Sequence, residues 1–556
     1  INRLLDPETD SAWLAENPYE RLKKETKDIP VPKKIFFDRE NSSGKDISEI
    51  ENLEDLKSKI DNFSGLKVDA ESIYAGRLDA NNTEEKAFSI SNKCEIGTIT
   101  LDDPIQIKKA LEKDTLDEWK EIEVNERAKI LNLIADDLEN NPYELIYFLI
   151  NEAGKTIQNA IDEIREAVDF LRYYSSRSIE LFNNTELNGP TGEDNQMSFT
   201  PKGTFLCISP WNFPVAILIG QISAALSCGN RVIVKPSEYS SILGYLVVKK
   251  FHDHGVPISA LSLILGDGLY GDFLTKIRPL HGVAFTGSLP TAKKIQANII
   301  ENQNQIIPLI AETGGVNTMI VDSSALLEQV TDDVVRSAFD SAGQRCSALR
   351  VLCVQEEIYD DLKDMIIGNM QIQTVGDPNF FDTDIGPIIN DKAYKKLTSY
   401  ISLCSEKGYK IHQPNQKVSD MHIAPTLIEI NSISNITEEQ FGPILHILKY
   451  SSNEIDELIN QINRSEYGLT MGIHSRIEAR ADYMSSRSNV GNIYINRDMV
   501  GAVVGSQPFG GIGLSGSGFK AGGPNYLLQF VNEKVVSKNS VAFGGNTELL
   551  NIQEDL

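Results

Sequence analysis

The sequence predicts an α/β protein of two doubly wound units with a small β-hairpin and tail element added. Three observations carry this. Short, continuous apolar runs at 204–208, 231–234, 261–265 and 283–285 read as strands buried on both faces, with helical stretches at 216–227, 240–254 and 290–301 between them. A second alternation follows Glu312: strand 318–321, helix 326–339, strand 350–354, continuing to about residue 515. The turn-rich stretch NTELNGPTGEDNQMSFTP (184–201) reads as a hairpin excursion, and LLQFVNEKVV after Tyr526 as a strand-like association element.

Taken in order, residues 1–70 form a polar linker or arm that packs on something else, broken by PVPKK and NSSGK. The arm holds one helix, with Asp46 and Glu49 as a capping pair and Ile47, Ile50, Leu53, Leu56 and Ile60 on one face. The chain opens on Ile1, and INRLLDPETD reads as the continuation of a longer natural chain with an upstream domain missing. From 104 to 182 the pattern is helical, with Ile157, Ala160, Ile161, Ile164, Ala167, Val168 and Leu171 sharing a face. Asn151-Glu152-Ala153-Gly154-Lys155 breaks this region, which leaves the Glu152 side chain near a helix end and free to face a site. Residues 71–183 and 202–313 are assigned to the first unit, 314–523 to the second, and 184–201 with 524–556 to the flap and tail.

Composition narrows the function. A formal charge of −26 and a pI near 4.8 argue against a surface that tracks phosphates, so nucleic acid is a poor partner. Six cysteines in 556 residues, without CxxC or Cys/His spacing, predict no zinc and a reduced, cytoplasmic compartment. The longest apolar stretch, 215–226, contains Gln221 and is too short to span a bilayer.

The chemistry centres on Gln344-Arg345-Cys346-Ser347 and Ala311-Glu312-Thr313-Gly314-Gly315. A cysteine between a basic and a small polar residue, just after a helix and Gly343, suits an exposed nucleophile. Glu312 closes an apolar strand and is followed by glycines, as when a strand delivers a side chain into a cleft and turns away. A thiol with a carboxylate base is a minimal kit for covalent catalysis at a carbonyl carbon. For a dinucleotide, GxGxxG occurs twice, at Gly266/Gly268/Gly271 and Gly511/Gly513/Gly516, which shows how weak that pattern is. Phe285-Thr286-Gly287-Ser288 is the better phosphate turn, since it closes a strand and opens a helix. Lys235 and Glu238, just past a strand end, can reach an adenosine ribose, and a carboxylate on the 2′-OH favours NAD over NADP.

In this order, TFLCISPWNFP, VIVKPSE, FTGS, ETGG, GQRCSA, EEQFGP and QPFGG resemble the aldehyde dehydrogenase superfamily over roughly 100–535, including the 34-residue step from Glu312 to Cys346. Within it, AETGGVNTMIVDSSALL through GQRCSALRVLCVQ and NIYINRDMVGAVVGSQPFGGIGLSGSGFKAGGP are similar to the Δ1-pyrroline-5-carboxylate dehydrogenase domains of bifunctional proline-utilization proteins. The opening INRLLDP and closing FGGNTELL are similar to the flanks of those domains.

The resemblance implies an aldehyde dehydrogenase-like fold and NAD-dependent oxidation of L-glutamate γ-semialdehyde to glutamate, the second step of proline breakdown. It also implies a flavin-bearing proline dehydrogenase domain in cis and a homodimer or larger assembly. Cys346 is then the nucleophile, Asn212 an oxyanion donor and Glu312 the hydrolytic base. Ile208, Ser209, Pro210, Trp211, Lys235, Glu238, Gly287, Ser288, Glu439 and Phe441 are implied to hold NAD. Ser347, Gly501 and Ala502 would anchor the substrate α-carboxylate, Phe213 and Phe509 flank its chain, and Glu152 face its α-amino group; no metal is implied. ETGGV in place of the more usual ELGGK fits the pyrroline-carboxylate branch, and Ala292 stands where FTGSxxxG has its last glycine. The competing readings are a dehydrogenase for another aldehyde, a Cys/Glu thiol esterase working without nucleotide, and a non-catalytic partner-binding protein.

Overall fold

The continuous apolar runs are strands whose alternate residues feed two different cores. In a computed structural model that describes residues 30–543 apart from 37, 46, 79–81, 113–117, 417 and 502, Phe205 and Cys207 of strand Thr204–Ile208 pack on one side, and Leu206 and Ile208 on the other. Helices Val124–Asn140, Ile157–Leu181, Ala216–Ser227 and Ser241–Asp253 cover the first face, and Pro104–Leu111, Gly268–Leu274 and Leu289–Asn302 the second.

Five parallel strands make this sheet, in the order Leu309–Glu312, Gly282–Thr286, Thr204–Ile208, Arg231–Lys235, Leu261–Leu263. The chain enters at the middle strand, moves outward, then returns to the other side. The order therefore reverses between Thr204–Ile208 and Gly282–Thr286, where a doubly wound sheet opens its ligand crevice at the strands' carboxyl ends. Ser209, Lys235, Gly287 and Glu312 all stand at those ends. The register pairs Glu312 with Thr286.

The second sheet has seven strands: Ile411–His412, Thr426–Glu429, Ile444–Tyr450, Val351–Gln355, Thr318–Val321, Thr470–His474 and Asn492–Ile495, parallel except for the first pair. It has a separate core, built on Met319, Leu352, Ile447 and Ile473 with helices Leu327–Phe339 and Tyr359–Ile372. Hairpin strands Thr185–Leu187 and Glu193–Pro201 are joined by Val531–Asn539, so the two predicted association elements form one three-stranded sheet.

Two expectations change. Val68–Glu71, placed mostly in the arm, is a strand parallel to Glu95–Leu101, which also pairs with Thr83–Phe88. This sheet was missed because TEEKAF is charged and exposed and carries no apolar alternation. The arm's helix is Ile50–Asp61, with Leu56 and Ile60 buried, but Glu49 occupies its N-cap without a side-chain cap bond; Asp46 lies outside the described residues. The arm packs against both units, as a segment expected to pack on something else should: Ser42 donates from N and Oγ to Asp169 at 2.8 Å each, and Arg39 Nη2 donates to the Val504 carbonyl at 2.7 Å. The opening INRLLDP and the tail FGGNTELL lie largely or wholly outside the described residues, in which no helix is long and apolar enough to cross a membrane.

Candidate active site

Cys346 sits on the turn between helix Leu327–Phe339 and strand Val351–Gln355, and that turn is held from behind. Ser341 and Ala342 adopt left-handed backbone (φ 56° and 55°), at a cost on the order of 1–3 kcal/mol each. Gly343 follows at φ 64°, where a Cβ would fall 2.2 Å from the Gly442 carbonyl. Six successive carbonyls, 343 to 348, are then engaged by side chains. Arg350 donates to those of Gly343 and Arg345, Asn212 to that of Gln344, Asn317 to those of Cys346 and Ala348, and Thr470 to that of Ser347. Anchoring the acceptors this way satisfies backbone groups that burial would otherwise penalise and keeps the turn in one shape.

Glu312 reaches the same cavity from the five-stranded sheet. Its Oε2 accepts the Gly511 N–H at 2.9 Å, and its carbonyl accepts the Gly287 N–H at 3.0 Å. The second literal GxGxxG is thus no phosphate loop. It clasps the strand of Glu312, with Thr313 N–H donating to the Ser515 carbonyl and Ser517 N–H to that of Ala311. Burial pushes Glu312 up to about 8, against the pull of Gly511 N–H and Lys520. Cys346 is pushed up to about 12 by burial and by the carboxylates of Glu439 and Glu312, while the Ser347 N–H stabilises the thiolate.

One cleft brings Cys346 and Glu312 together with Ser347, Gly501, Phe213 and Phe509, six of the residues expected at the site. Ala502 lies outside the described residues. Glu152 is corrected: its two carboxylate oxygens accept the N–H groups of Ile242 and Leu243, each at 2.9 Å, so it caps helix Ser241–Asp253 and does not line the cleft. The carboxylate that does line it is Glu166, pushed up to about 8 by burial and by Glu163. Sequence reasoning missed it, although Glu163, Glu166 and Asp169 recur every three residues along a buried helix. A second, charged cleft shares Glu166, Phe213 and Gly501 and adds Arg345, Arg497 and Asp498.

The residues expected at a dinucleotide stand along the crevice. Lys235 is buried, with Nζ 3.8 Å from Glu238 Oε2. Ser288 is the N-cap of helix Leu289–Asn302, whose first turn receives no side-chain cap bond, whereas Asp267 already caps helix Gly268–Leu274 after the first GxGxxG. The open helix end therefore fits a pyrophosphate better than the filled one. Buried Ser209 Oγ has no partner among the described residues, and Ile208, Pro210 and Trp211 continue from it. Trp211 meets Phe441 edge-on at 5.7 Å. Glu439 is held by Arg350 at 3.1 Å, and a Cβ on Gly314 would fall 1.9 Å from its Oε2, so ETGG keeps its first glycine to admit Glu439. A ribose and a nicotinamide fit this donor set.

A profile of the aldehyde dehydrogenase family matches residues 79–536. The chain belongs to the aldehyde dehydrogenase family. It is 41% identical over 528 residues to the bifunctional protein PutA of Escherichia coli (strain K12), across 92% of this chain and 39% of that protein. It is 33% identical over 468 residues to the 1-pyrroline-5-carboxylate dehydrogenase of Bacillus subtilis (strain 168), across 82% and 90% of the two chains. The solved structure of a mutant Thermus thermophilus 1-pyrroline-5-carboxylate dehydrogenase superposes with a TM-score of 0.85 at 28% identity, covering 90% of this chain and 98% of that one. The chain spans about two-fifths of the length of PutA relatives such as that of E. coli.

Proposed function

We propose that this aldehyde dehydrogenase oxidises L-glutamate γ-semialdehyde to L-glutamate with NAD, the second step of proline breakdown. The observation that carries the reading is the single cleft shared by Cys346, Glu312 and the Ser347/Gly501 pair. An alkyl aldehyde would have no carboxylate for that pair to bind. Ser347 Oγ with the loop N–H at Gly501, joined by that of Ala502 as the resemblance implies, would form a small anion nest. Phe213 and Phe509 flank the aliphatic chain, and Glu166 takes the place Glu152 was expected to fill beside the α-amino group. Similarity to proteins named 1-pyrroline-5-carboxylate dehydrogenase supports the same substrate.

In this mechanism Cys346 gives up its proton and its sulfur bonds to the aldehyde carbon. The proton passes to Glu312 and from there to solvent; burial and the carboxylates of Glu439 and Glu312 disfavour the thiolate, and the Ser347 N–H helps to hold its charge. Asn212 has two amide protons, one on the Gln344 carbonyl at 3.1 Å; the other, with the Cys346 N–H, would hold the oxyanion. Lys235, Glu238, the Gly287–Ser288 turn, Glu439 and Phe441 would hold NAD, which when bound would supply the hydride acceptor. Loss of hydride leaves a thioester on Cys346. Glu312, ionised again once the first proton has gone to solvent, takes a proton from water, the resulting hydroxide adds to the acyl carbon, and the C–S bond breaks to release glutamate and the Cys346 thiolate.

The test is NADH formation with a panel of aldehydes, with and without an α-amino acid head group. Glutamate semialdehyde should give a kcat/KM at least tenfold above propanal, and Cys346→Ala should abolish turnover while leaving NAD binding by calorimetry intact. Equal rates across the panel would remove the substrate assignment, and turnover retained by Cys346→Ala would remove the nucleophile.

A further inference from the structure

Lys155 closes the stretch Asn151-Glu152-Ala153-Gly154-Lys155, and the chemistry above makes no use of it. Only 4% of it is exposed. Its Nζ lies 4.1 Å from the ring centre of Phe213, 3.3 Å from Ser341 Oγ and 3.7 Å from Glu163 Oε2. Each neighbour belongs to a different part of the site. Phe213 is a wall of the catalytic cleft. Ser341 is the first of the three left-handed residues leading to Cys346. Glu163 is fully buried and accepts the N–H groups of Val215 and Ala216 at 2.8 and 3.3 Å, which fixes the start of the helix after Trp211-Asn212-Phe213-Pro214.

A buried ammonium needs a carboxylate, and Glu163 meets that need by itself. The contacts to Phe213 and Ser341 go beyond neutralisation. They come from opposite sides of the cleft, since Phe213 follows a strand of the five-stranded sheet and Ser341 precedes one of the seven-stranded sheet. An ammonium over a ring face and a donor to a hydroxyl are directional contacts that a general apolar filler would not make. The loop that delivers Lys155 is itself fixed against the nucleophile's side: a Cβ on Gly154 would meet Pro387 at 2.9 Å, and the Pro387 carbonyl accepts from Gln344 Nε2 at 3.0 Å.

We propose that Lys155 is a positioning residue, which holds the Phe213 ring and the Ser341–Gly343 turn in one fixed relation so that an aldehyde lying against Phe213 is presented in line with the Cys346 sulfur. The proposal rests on the aldehyde-oxidising reading above. Misplacing a reacting pair by about 1 Å can cost on the order of 100-fold in rate, so a loosened clamp should show in acyl transfer rather than in cofactor binding.

The test uses the full chain with Lys155→Met/Glu163→Gln, Lys155→Arg and Ser341→Ala. The double variant removes the ammonium without stranding a buried carboxylate. Three quantities are read per active site, counted by calorimetric NAD binding: acylation of Cys346 by 4-nitrophenyl acetate, kcat, and KM for glutamate semialdehyde. The double variant should lose about tenfold or more in acylation and kcat, with KM within threefold and NAD affinity unchanged. Lys155→Arg should recover part of that loss, since a guanidinium keeps the charge, a donor and the ring contact. Ser341→Ala leaves the Lys155–Glu163 pair intact and should still slow acylation several-fold, which keeps the test decisive if the double variant does not fold. Wild-type acylation per site in the double variant, or in Ser341→Ala, would overturn the proposal and leave Lys155 as a counter-ion for Glu163. Ester acylation that survives Cys346→Ala would instead overturn the reading of the site, whatever the Lys155 variants do.

Discussion

Glu312 and Glu152 look alike by every local measure and are held differently by the fold. Each follows an apolar run, each is two residues from a glycine, and burial pushes each up to about 8. Glu152 has given both oxygens to the first turn of helix Ser241–Asp253, at 2.9 Å each. Glu312 has Oε2 on the Gly511 N–H, while Oε1 is the oxygen beside Gly510, and the side chain borders the cleft with Cys346. A raised pKa thus marks burial. Whether the carboxylate is available for chemistry depends on how many of its acceptor sites the fold has already taken.

Substituting each by glutamine breaks the comparison most strongly. Glu312→Gln should lower turnover about 10³-fold, within the range for loss of a general base, with a thioester accumulating on Cys346 that mass spectrometry detects. Glu152→Gln should keep kcat within about threefold. It should lose about 1–3 kcal/mol of stability in denaturant unfolding, because an amide N–H₂ then faces the Leu243 N–H. A large kinetic loss in Glu152→Gln would restore it to the site and undo the distinction.

The pH dependence sharpens the same contrast. In the proposed mechanism Glu312 acts ionised, and a pKa raised to about 8 by burial would leave it protonated below that value and available as a base above it. Thioester hydrolysis should therefore climb between pH 6 and 9 with a midpoint near 8. Lys520 favours the ionised form, so Lys520→Gln should move that midpoint upward. A profile flat from pH 6 to 9, measured on preformed acyl-enzyme, would remove Glu312 as the base.

How much of this was legible in the sequence follows the same division. The strands Thr204–Ile208 and Gly282–Thr286 could be read because burial on both faces leaves a continuous apolar run. Thr83–Phe88 could not, since an exposed charged strand looks like a loop. Cys346 and Glu312 were marked by glycines that the backbone needs: Gly343 for a left-handed turn and Gly314 for the approach of Glu439. The direction in which a helix-end carboxylate points depends on a partner some 90 residues away, which is why Glu152 was misread. Arg350 was missed because nothing local distinguishes an arginine at a strand's start from a surface one, although it binds two carbonyls of the nucleophile turn and Glu439.

Ser347 tests whether the cleft reads the head group as well as the aldehyde. Ser347→Ala should cut kcat/KM for glutamate semialdehyde about 10- to 100-fold, the worth of a hydrogen bond to a charged group, and change propanal by less than threefold. Equal losses on both substrates would make Ser347 a support for Cys346 and not an anchor.

The smallest effect is expected at the other end of the crevice. Glu238 pairs with Lys235 at 3.8 Å, but its side chain is 43% exposed while that of Lys235 is 5% exposed. A hydrogen bond from a ribose hydroxyl to so open a carboxylate competes with water, so Glu238→Ala should weaken NAD by about 1 kcal/mol, roughly fivefold. Its larger consequence is for selectivity. Removing the carboxylate takes away the repulsion against a 2′-phosphate and leaves buried Lys235 without its counter-charge, so NADP should gain affinity as NAD loses it. Titrating both nucleotides against the two proteins reads the change directly. An unaltered NAD/NADP ratio would mean that Glu238, like Glu152, is a carboxylate placed by the fold and unused by the ligand.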